Sequence, residues 1–205
     1  SLQHNTSYDM PKIAWQNFGE TRSYKDIAAL NATGAPNTSL PDYKILELRR
    51  AYYSAVSYTD HNVGRVLSAL EESGLDENTV VMFWGDHGWT LGEHSEFDKH
   101  TNWNIATHAP VMFRVPGLTD KKKGVRTYQV TETVDIFPSL VDFALQETIP
   151  SCASSESFTT CTDGTSVRPL IENPDVALKS SALSAYDRGI PREEEEVEEE
   201  EKLKK

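Results

Sequence analysis

The run Thr79-Val80-Val81-Met82-Phe83-Trp84-Gly85-Asp86-His87-Gly88-Trp89 carries the strongest structural signal in this chain. Residues 79–84 are almost continuously apolar or β-branched and predict a buried β-strand. In open α/β sheets, ligands bind beyond the carboxyl ends of the strands, where Asp86 and His87 would lie. A carboxylate and an imidazole are also suitable ligands for a divalent metal. The competing interpretation is a plain strand-to-loop turn, in which Asp86 caps and His87 packs.

Helical patterns lie on both sides of this strand. Pro41 and Asp42 open a predicted helix that ends at Ser73-Gly74, because proline suits a first turn and glycine suits a helix end. Its apolar and small residues recur about every 3.6 positions and predict one buried face; they are Ile45, Leu48, Tyr52, Ala55, Thr59, Val63, Val66 and Leu70.

A second strand and a second helix follow along the chain. The strand is predicted over 111–115, and the helix runs from Thr133 to about Leu145. The predicted packed face of that helix consists of Val134, Phe137, Leu140, Val141 and Ala144. The order helix, strand, loop, strand, helix favours an α/β fold.

Composition divides the chain into three segments. Residues 1–40 are polar without sustained periodicity and predict an irregular surface loop segment. Residues 41–186 hold the α/β pattern, and residues 187–205 include a glutamate-rich run that predicts a disordered acidic tail. The formal net charge is −12, so no basic footprint for nucleic acid is present. No apolar run approaches the length of a membrane span.

The loop after the first predicted strand is rich in residues that carry chemistry. A metal held by Asp86 and His87 would attract an anion, and Lys99 could neutralise the remaining anion oxygens. Trp89 could form a pocket wall. This combination predicts a site for a sulfate or phosphate ester. The other candidates in the loop are Glu93, His94, Glu96, His100, Trp103 and His108.

Two features indicate the secretory pathway. N-glycosylation sequons begin at Asn5, Asn31 and Asn37. Cys152 and Cys161 are either two free thiols or, in an oxidising compartment, a local disulfide.

The motifs together resemble the sulfatase family, a branch of the alkaline-phosphatase-like superfamily. The likeness rests on residues 85–94, on Lys99-His100-Thr101-Asn102-Trp103, on residues 106–110, and on two helical stretches at 52–65 and 133–140. It runs from about Pro41 to Tyr186. Within the family it is greatest to members that remove 2-O-sulfate from iduronate.

The resemblance implies part of a mixed sheet flanked by helices, incomplete at both ends, and a calcium-dependent sulfuric ester hydrolase. Asp86 and His87 would be calcium ligands, and Lys99 would be catalytic and contact the sulfate. Trp89 and His108 would bind substrate. Heparan and dermatan sulfate would be the substrates, the lysosome the location, and Cys152–Cys161 a disulfide.

The chain departs from the family at the nucleophile. That nucleophile is a formylglycine made from cysteine in a Cys-x-Pro-Ser-Arg motif, which does not occur in these 205 residues. We therefore expect the formylglycine and further metal ligands in an amino-terminal half outside this sequence. We also expect the 205 residues alone to hydrolyse nothing.

Two alternatives remain open at this stage. The first is a metal-dependent phosphatase or phosphodiesterase of the same superfamily, in which Asp86 and His87 would hold zinc. That class adds a second histidine motif, and no histidine follows His108. The second is a truncated, non-catalytic sulfatase-like protein, which the missing nucleophile motif favours.

Overall fold

A computed structural model describes residues 6, 9–120, 124–152 and 160–187. Its helices are α1 Gly19–Ser23, α2 Lys25–Ala28, α3 Asp42–Glu72, α4 Asn104–Thr107, α5 Ile136–Leu145 and α6 Arg168–Glu172. Its strands are β1 Val81–Trp84, β2 Thr90–Leu91, β3 Phe97–Asp98 and β4 Val111–Arg114. Short 3-10 turns lie at Lys12–Ala14, Asp76–Asn78, Glu93–Ser95 and Thr133–Asp135. None of the helices in these ranges has the length and apolarity needed to cross a bilayer.

The long helix α3 confirms the first predicted helix. Pro41 precedes it in an extended conformation, and Gly74 follows it with a left-handed φ of 68°. The prediction of one continuous buried face is wrong for most of its length. Ile45 is fully buried, but all of residues 51–60 are exposed, and Val66 is 69% exposed. Only the start of α3 packs on other described residues.

Strand β1 pairs antiparallel with β4, in a register that places Val81 opposite Arg114 and Trp84 opposite Val111. A second small sheet pairs β2 with β3. The helices and small sheets form a partial α/β fold, as the element order predicts. The expectation of a fully buried first strand is wrong, because Trp84 is 48% exposed. Within the described ranges β1 has one neighbouring strand, so its other edge carries no strand.

The first hydrophobic core joins distant parts of the chain. It consists of Phe18, Ile27, Leu40, Ile45 and Phe97, each no more than 1% exposed. Phe18 and Phe97 meet edge to face, with ring centroids 5.2 Å apart. The expectation that residues 1–40 are an irregular surface loop is therefore corrected, because this segment forms short helices and contributes buried side chains. The predicted boundary between segments 1–40 and 41–186 separates Leu40 from Ile45, although both residues belong to this core.

The second hydrophobic core lies under α5. It consists of Val115, Phe143, Val167 and Leu170. The predicted helix from Thr133 to Leu145 is confirmed as a 3-10 turn followed by α5. Its predicted packed face is wrong in part, because Val134, Phe137 and Ala144 are exposed. The helix instead turns Phe143 toward Phe113 of β4, with ring centroids 5.5 Å apart.

Asp135 ties the later part of the chain to α5. Its buried carboxylate accepts hydrogen bonds from the backbone N–H groups of Glu132, at 2.9 Å, and Thr165, at 2.7 Å. Lys179 approaches the same carboxylate at 2.7 Å.

Cys152 and Cys161 are joined as a disulfide with their Cα atoms 4.9 Å apart. Among the sequons, Asn31 and Asn37 are exposed, while Asn5 and most of the acidic tail lie outside the described residues.

Candidate active site

The candidate site is carried by the loop that joins β1 to β4. The backbone N–H of Gly85 donates to the carbonyl of Pro110 at 2.9 Å, which extends the pairing of the two strands and closes the loop at its base. Residues 86–109 therefore project from one end of this small sheet. The sequence predicted this position for Asp86 and His87.

Local hydrogen bonds fix the positions of Asp86 and His87. The backbone N–H of His87 donates to Asp86 Oδ1 at 3.0 Å, and His87 Nδ1 lies 2.8 Å from the Gly88 carbonyl oxygen. A carbonyl only accepts, so Nδ1 carries the hydrogen of this contact. Nε2 lies 3.5 Å from Asp86 Oδ2, and the Asp86 side chain is 79% exposed. Two donor atoms thus lie side by side at an open surface.

Calcium would suit the Asp86 carboxylate, beside which His87 would add a nitrogen ligand. Calcium takes six to eight oxygen ligands in proteins, and exposed carboxylates are among those that it prefers. No group of three or more His, Cys, Asp and Glu side chains gathers for a metal within the described ranges. Asp86 and His87 would therefore be two ligands of a set that the described ranges do not complete.

Lys99 is held by two contacts. Its Nζ lies 2.7 Å from Glu20 Oε2 and 5.0 Å from the centroid of the Trp89 ring. The hydrogen bond to Glu20 raises the pKa of Lys99, and the same bond lowers the pKa of Glu20. Lys99 is therefore a protonated, partly exposed cation seated on an aromatic face. The structure places Lys99 on the face of the Trp89 ring, a contact that the sequence analysis did not predict.

Glu20 is the residue that sequence reasoning missed. It lies on α1, in the segment that was expected to be an irregular loop, and it also contacts His100 Nε2 at 3.2 Å. Its only local signal is an acidic residue in the first turn of a short helix. Such a residue is common at helix starts and does not point to a lysine about 80 positions later.

The candidate residues Glu93, His94 and Glu96 each contact a different part of the protein. His94 stacks on Trp103 with ring centroids 5.1 Å apart. Glu93 pairs with Arg49 of α3 at 3.5 Å, and the buried Glu96 accepts the backbone N–H of Gln16 at 3.2 Å. These carboxylates anchor the loop to the rest of the protein.

His108 lies apart from the Lys99 cluster. It follows α4 with an exposed side chain, and its backbone N–H donates to the Asn104 carbonyl at 2.8 Å. Within the described ranges its ring takes no part in the contacts that join Lys99, Trp89 and Glu20. The prediction that His108 binds substrate stays a prediction.

Backbone strain concentrates between β2 and Lys99. His94, Ser95 and Asp98 all adopt left-handed φ values, of 56°, 63° and 64°. Such conformations are costly for residues with a Cβ and cluster at functional sites. Asp98 is fully buried, and burial raises the pKa of its carboxyl group. Its Oδ1 accepts the backbone N–H of His100 at 3.3 Å, which shapes the turn that presents Lys99.

Gly88 is required by a close backbone approach. Its N–H donates to the Ala106 carbonyl at 2.7 Å, and a Cβ at this position would collide with the carbonyl of Ile105. This contact packs Gly88, next to Asp86 and His87, against α4.

We expect Gly88→Ala to destabilise the chain by about 1–3 kcal/mol, because backbone atoms on both sides have to move apart. The measurement is the midpoint of urea unfolding. Gly64→Ala is the matched control, since a Cβ on Gly64 in α3 meets nothing within 4 Å. That control should gain about 0.5–1 kcal/mol, as expected for glycine in a helix interior. Equal midpoints for the two variants would contradict the tight approach at Gly88.

Comparison with known proteins identifies the family. A family model described as Sulfatase matches residues 4–146 of this chain. The chain belongs to the sulfatase family. The iduronate 2-sulfatase of Homo sapiens is 31% identical over 206 residues, which cover 86% of this chain and 37% of the human protein. The N-acetylglucosamine-6-O-sulfatase of Bacteroides thetaiotaomicron is 32% identical over 148 residues, covering 72% of this chain and 24% of that protein.

A solved structure agrees with this sulfatase assignment. It is described as a complex with its substrate D-glucosamine-2-N,6-O-disulfate. It superposes with a TM-score of 0.60 and 25% identity, covering 83% of this chain and 33% of that chain. The chain therefore spans well under half the length of the sulfatases that it matches. The resemblance seen in residues 85–110 is confirmed at the level of the family.

Proposed function

We propose that this chain is part of a calcium-dependent sulfuric ester hydrolase and carries one side of its active site. The observation that supports the proposal most directly is the Lys99 ammonium group. It lies on the Trp89 ring, in the same loop as the paired ligands Asp86 and His87. Within a sulfatase, this arrangement suits an ester that carries a compact anion.

Lys99 would bind the sulfate group. An ammonium has three N–H donors, and Glu20 takes one of them. The others are available to sulfate oxygens, on which negative charge builds up as the ester bond breaks. Trp89 covers one side of the ammonium and excludes water there, which strengthens the interaction with an anion.

Asp86 and His87 would hold calcium together with ligands from outside the described residues. Bound calcium would polarise the sulfate oxygens as a Lewis acid. The chain's own contribution is orientation. The Gly88 carbonyl fixes the tautomer of His87, and the backbone N–H of His87 fixes Asp86. The nucleophile in this proposal is a formylglycine from another part of the whole protein.

The proposed substrate is 2-O-sulfated iduronate at the ends of heparan and dermatan sulfate, and the proposed location is the lysosome. Likeness to iduronate 2-sulfatase over 86% of the chain supports this substrate. The N-acetylglucosamine-6-O-sulfatase is about as similar in percentage identity, so the sugar has to be tested directly. The exposed sequons at Asn31 and Asn37 and the Cys152–Cys161 disulfide support the secretory pathway.

The deciding experiment measures sulfate release by the whole protein from matched oligosaccharides. One substrate ends in 2-O-sulfated iduronate and the other in 6-O-sulfated glucosamine. We expect release from the first and little from the second. Release from the glucosamine substrate alone would refute the proposed sugar, and release from neither it nor a generic aryl sulfate would refute the proposed activity.

We expect Asp86→Asn to raise the calcium concentration for half-maximal activity by at least about tenfold, because an amide is a weaker ligand than a carboxylate. The measurement is activity against added calcium after chelation, with zinc in parallel. Asp175→Asn, which changes an exposed carboxylate remote in the chain, is the control. A calcium requirement unaltered in Asp86→Asn, or reactivation by zinc alone, would exclude the calcium site.

A further inference from the structure

Glu20 contacts two neighbouring side chains of the site loop, the Lys99 ammonium and the His100 imidazole. The same oxygen, Oε2, lies 2.7 Å from Lys99 Nζ and 3.2 Å from His100 Nε2. The Glu20 and Lys99 side chains are 31% and 27% exposed, so water is partly excluded from the pair. Two other titratable side chains act on this cluster: Tyr24, which lies near Glu20, and the buried Asp98.

The position of Glu20 is fixed by the first hydrophobic core. Phe18, two residues earlier, is fully buried against Phe97, and Phe97 lies two residues before Lys99. The Gln16 side chain also bonds the Phe97 carbonyl and the backbone N–H of Phe18. The Glu20 carboxylate and the Lys99 ammonium therefore extend from two backbone segments that these core contacts hold together.

Lys99 needs such a partner because its side chain is long and flexible. A lysine side chain loses much rotamer entropy when it is fixed, and a catalytic contact has to overcome that cost unless the side chain is already ordered. Trp89 contacts the ammonium from one direction only, and a cation over a ring can slide across its face. A charged acceptor at 2.7 Å removes that freedom.

We propose that Glu20 is a positioning residue for Lys99. Its carboxylate, acting opposite the Trp89 ring, holds the Lys99 ammonium so that its remaining N–H groups face the sulfate ester. This inference rests on the proposed function of Lys99. It assigns an essential part of the site to a segment that contains none of the family's sequence motifs quoted above.

The first test follows the titration of the Lys99 side-chain nitrogen by NMR in the full chain. Glu20→Gln removes the charge and keeps the shape, so the pKa of Lys99 should fall relative to the unmodified protein. Glu47→Gln is the matched control, because Glu47 makes the same kind of 2.7 Å pair with Lys44. It should leave Lys99 unchanged. Identical Lys99 titrations in the unmodified protein and Glu20→Gln would overturn the proposal.

The second test measures kcat and KM for sulfate release by the whole protein. Glu20→Ala should lower kcat by about 10- to 100-fold with little change in KM, because a misplaced catalytic group costs rate. Glu20→Gln keeps a hydrogen-bond acceptor and should recover part of the loss. A merely structural role would reduce the amount of folded protein and leave kcat per folded molecule unchanged, which overturns the proposal.

Two further outcomes keep the inference separate from the proposed function. An unmodified whole protein that releases no sulfate refutes the function, whereas an active one in which Glu20→Ala keeps full kcat refutes the positioning role. If the Glu20 variants fail to fold, the Lys99 nitrogen shift of the unmodified chain is followed to low pH. A step as Glu20 becomes protonated supports the coupling, and a flat response overturns it.

Discussion

Lys99→Ala in the whole protein is expected to lower sulfate-ester turnover by about 10²-fold or more. The substitution removes the only charged donor that the described residues place on the Trp89 ring, and such donors contribute most where charge develops in the transition state. The loss should fall on kcat and on kcat/KM alike, because the contact strengthens as the ester bond breaks. The measurement is initial rate against concentration of an aryl sulfate.

The control for this experiment is Lys25→Ala. Lys25 is an exposed lysine at the start of α2, in the same segment as Glu20, so the variant changes net charge equally and leaves the site intact. It should retain full turnover. A Lys99→Ala protein as active as Lys25→Ala would remove Lys99 from the mechanism, and with it the positioning role of Glu20.

Phe97→Ala is expected to destabilise the chain by about 3–5 kcal/mol, the usual cost of removing a buried aromatic ring. Phe97 is 1% exposed and forms the junction between the site loop and the segment around Phe18. The measurement is the free energy of unfolding from urea titration followed by tryptophan fluorescence. Tyr128→Ala is the control, since Tyr128 is 91% exposed and should change stability little.

The same variant also tests how the site is built. If Phe97 holds together the backbone segments that carry Glu20 and Lys99, its loss should weaken the Glu20–Lys99 ion pair as well as the core. The Lys99 nitrogen should then titrate at a lower pKa in the folded variant, because the partner that raises it has moved away. A stability change below about 1 kcal/mol would show that the first core is not needed for folding.

Sequence patterns predicted the helices and strands whose bounds depend on neighbouring residues. The start of α3 at Asp42, its end before Gly74 and the strand before Asp86 all follow from capping, periodicity and apolar runs. The motifs in residues 85–110 led to the correct family. The roles predicted for Trp89 and Lys99 stay predictions, and their mutual contact was not foreseen.

Long-range partners were not predictable from the same patterns. Glu20 and His100 are 80 residues apart, and no periodicity connects them. The buried face of α5 was assigned wrongly at Phe137, because β4 and α6 select Phe143 as the contact residue. The continuous packed face predicted for α3 failed because periodicity reports an apolar stripe and does not report whether a partner covers it.

The closure of the site loop at Gly85 and Pro110 has a consequence for engineering and for evolution. The site loop begins and ends on adjacent strands, as a segment would that can be exchanged as one piece. However, Phe97 and Lys99 of this loop contact residues 16–20. Transplanting residues 85–110 alone into another sulfatase would separate the ammonium from its carboxylate. Turnover in such chimaeras should therefore require both segments, residues 16–20 and residues 85–110, from the same parent.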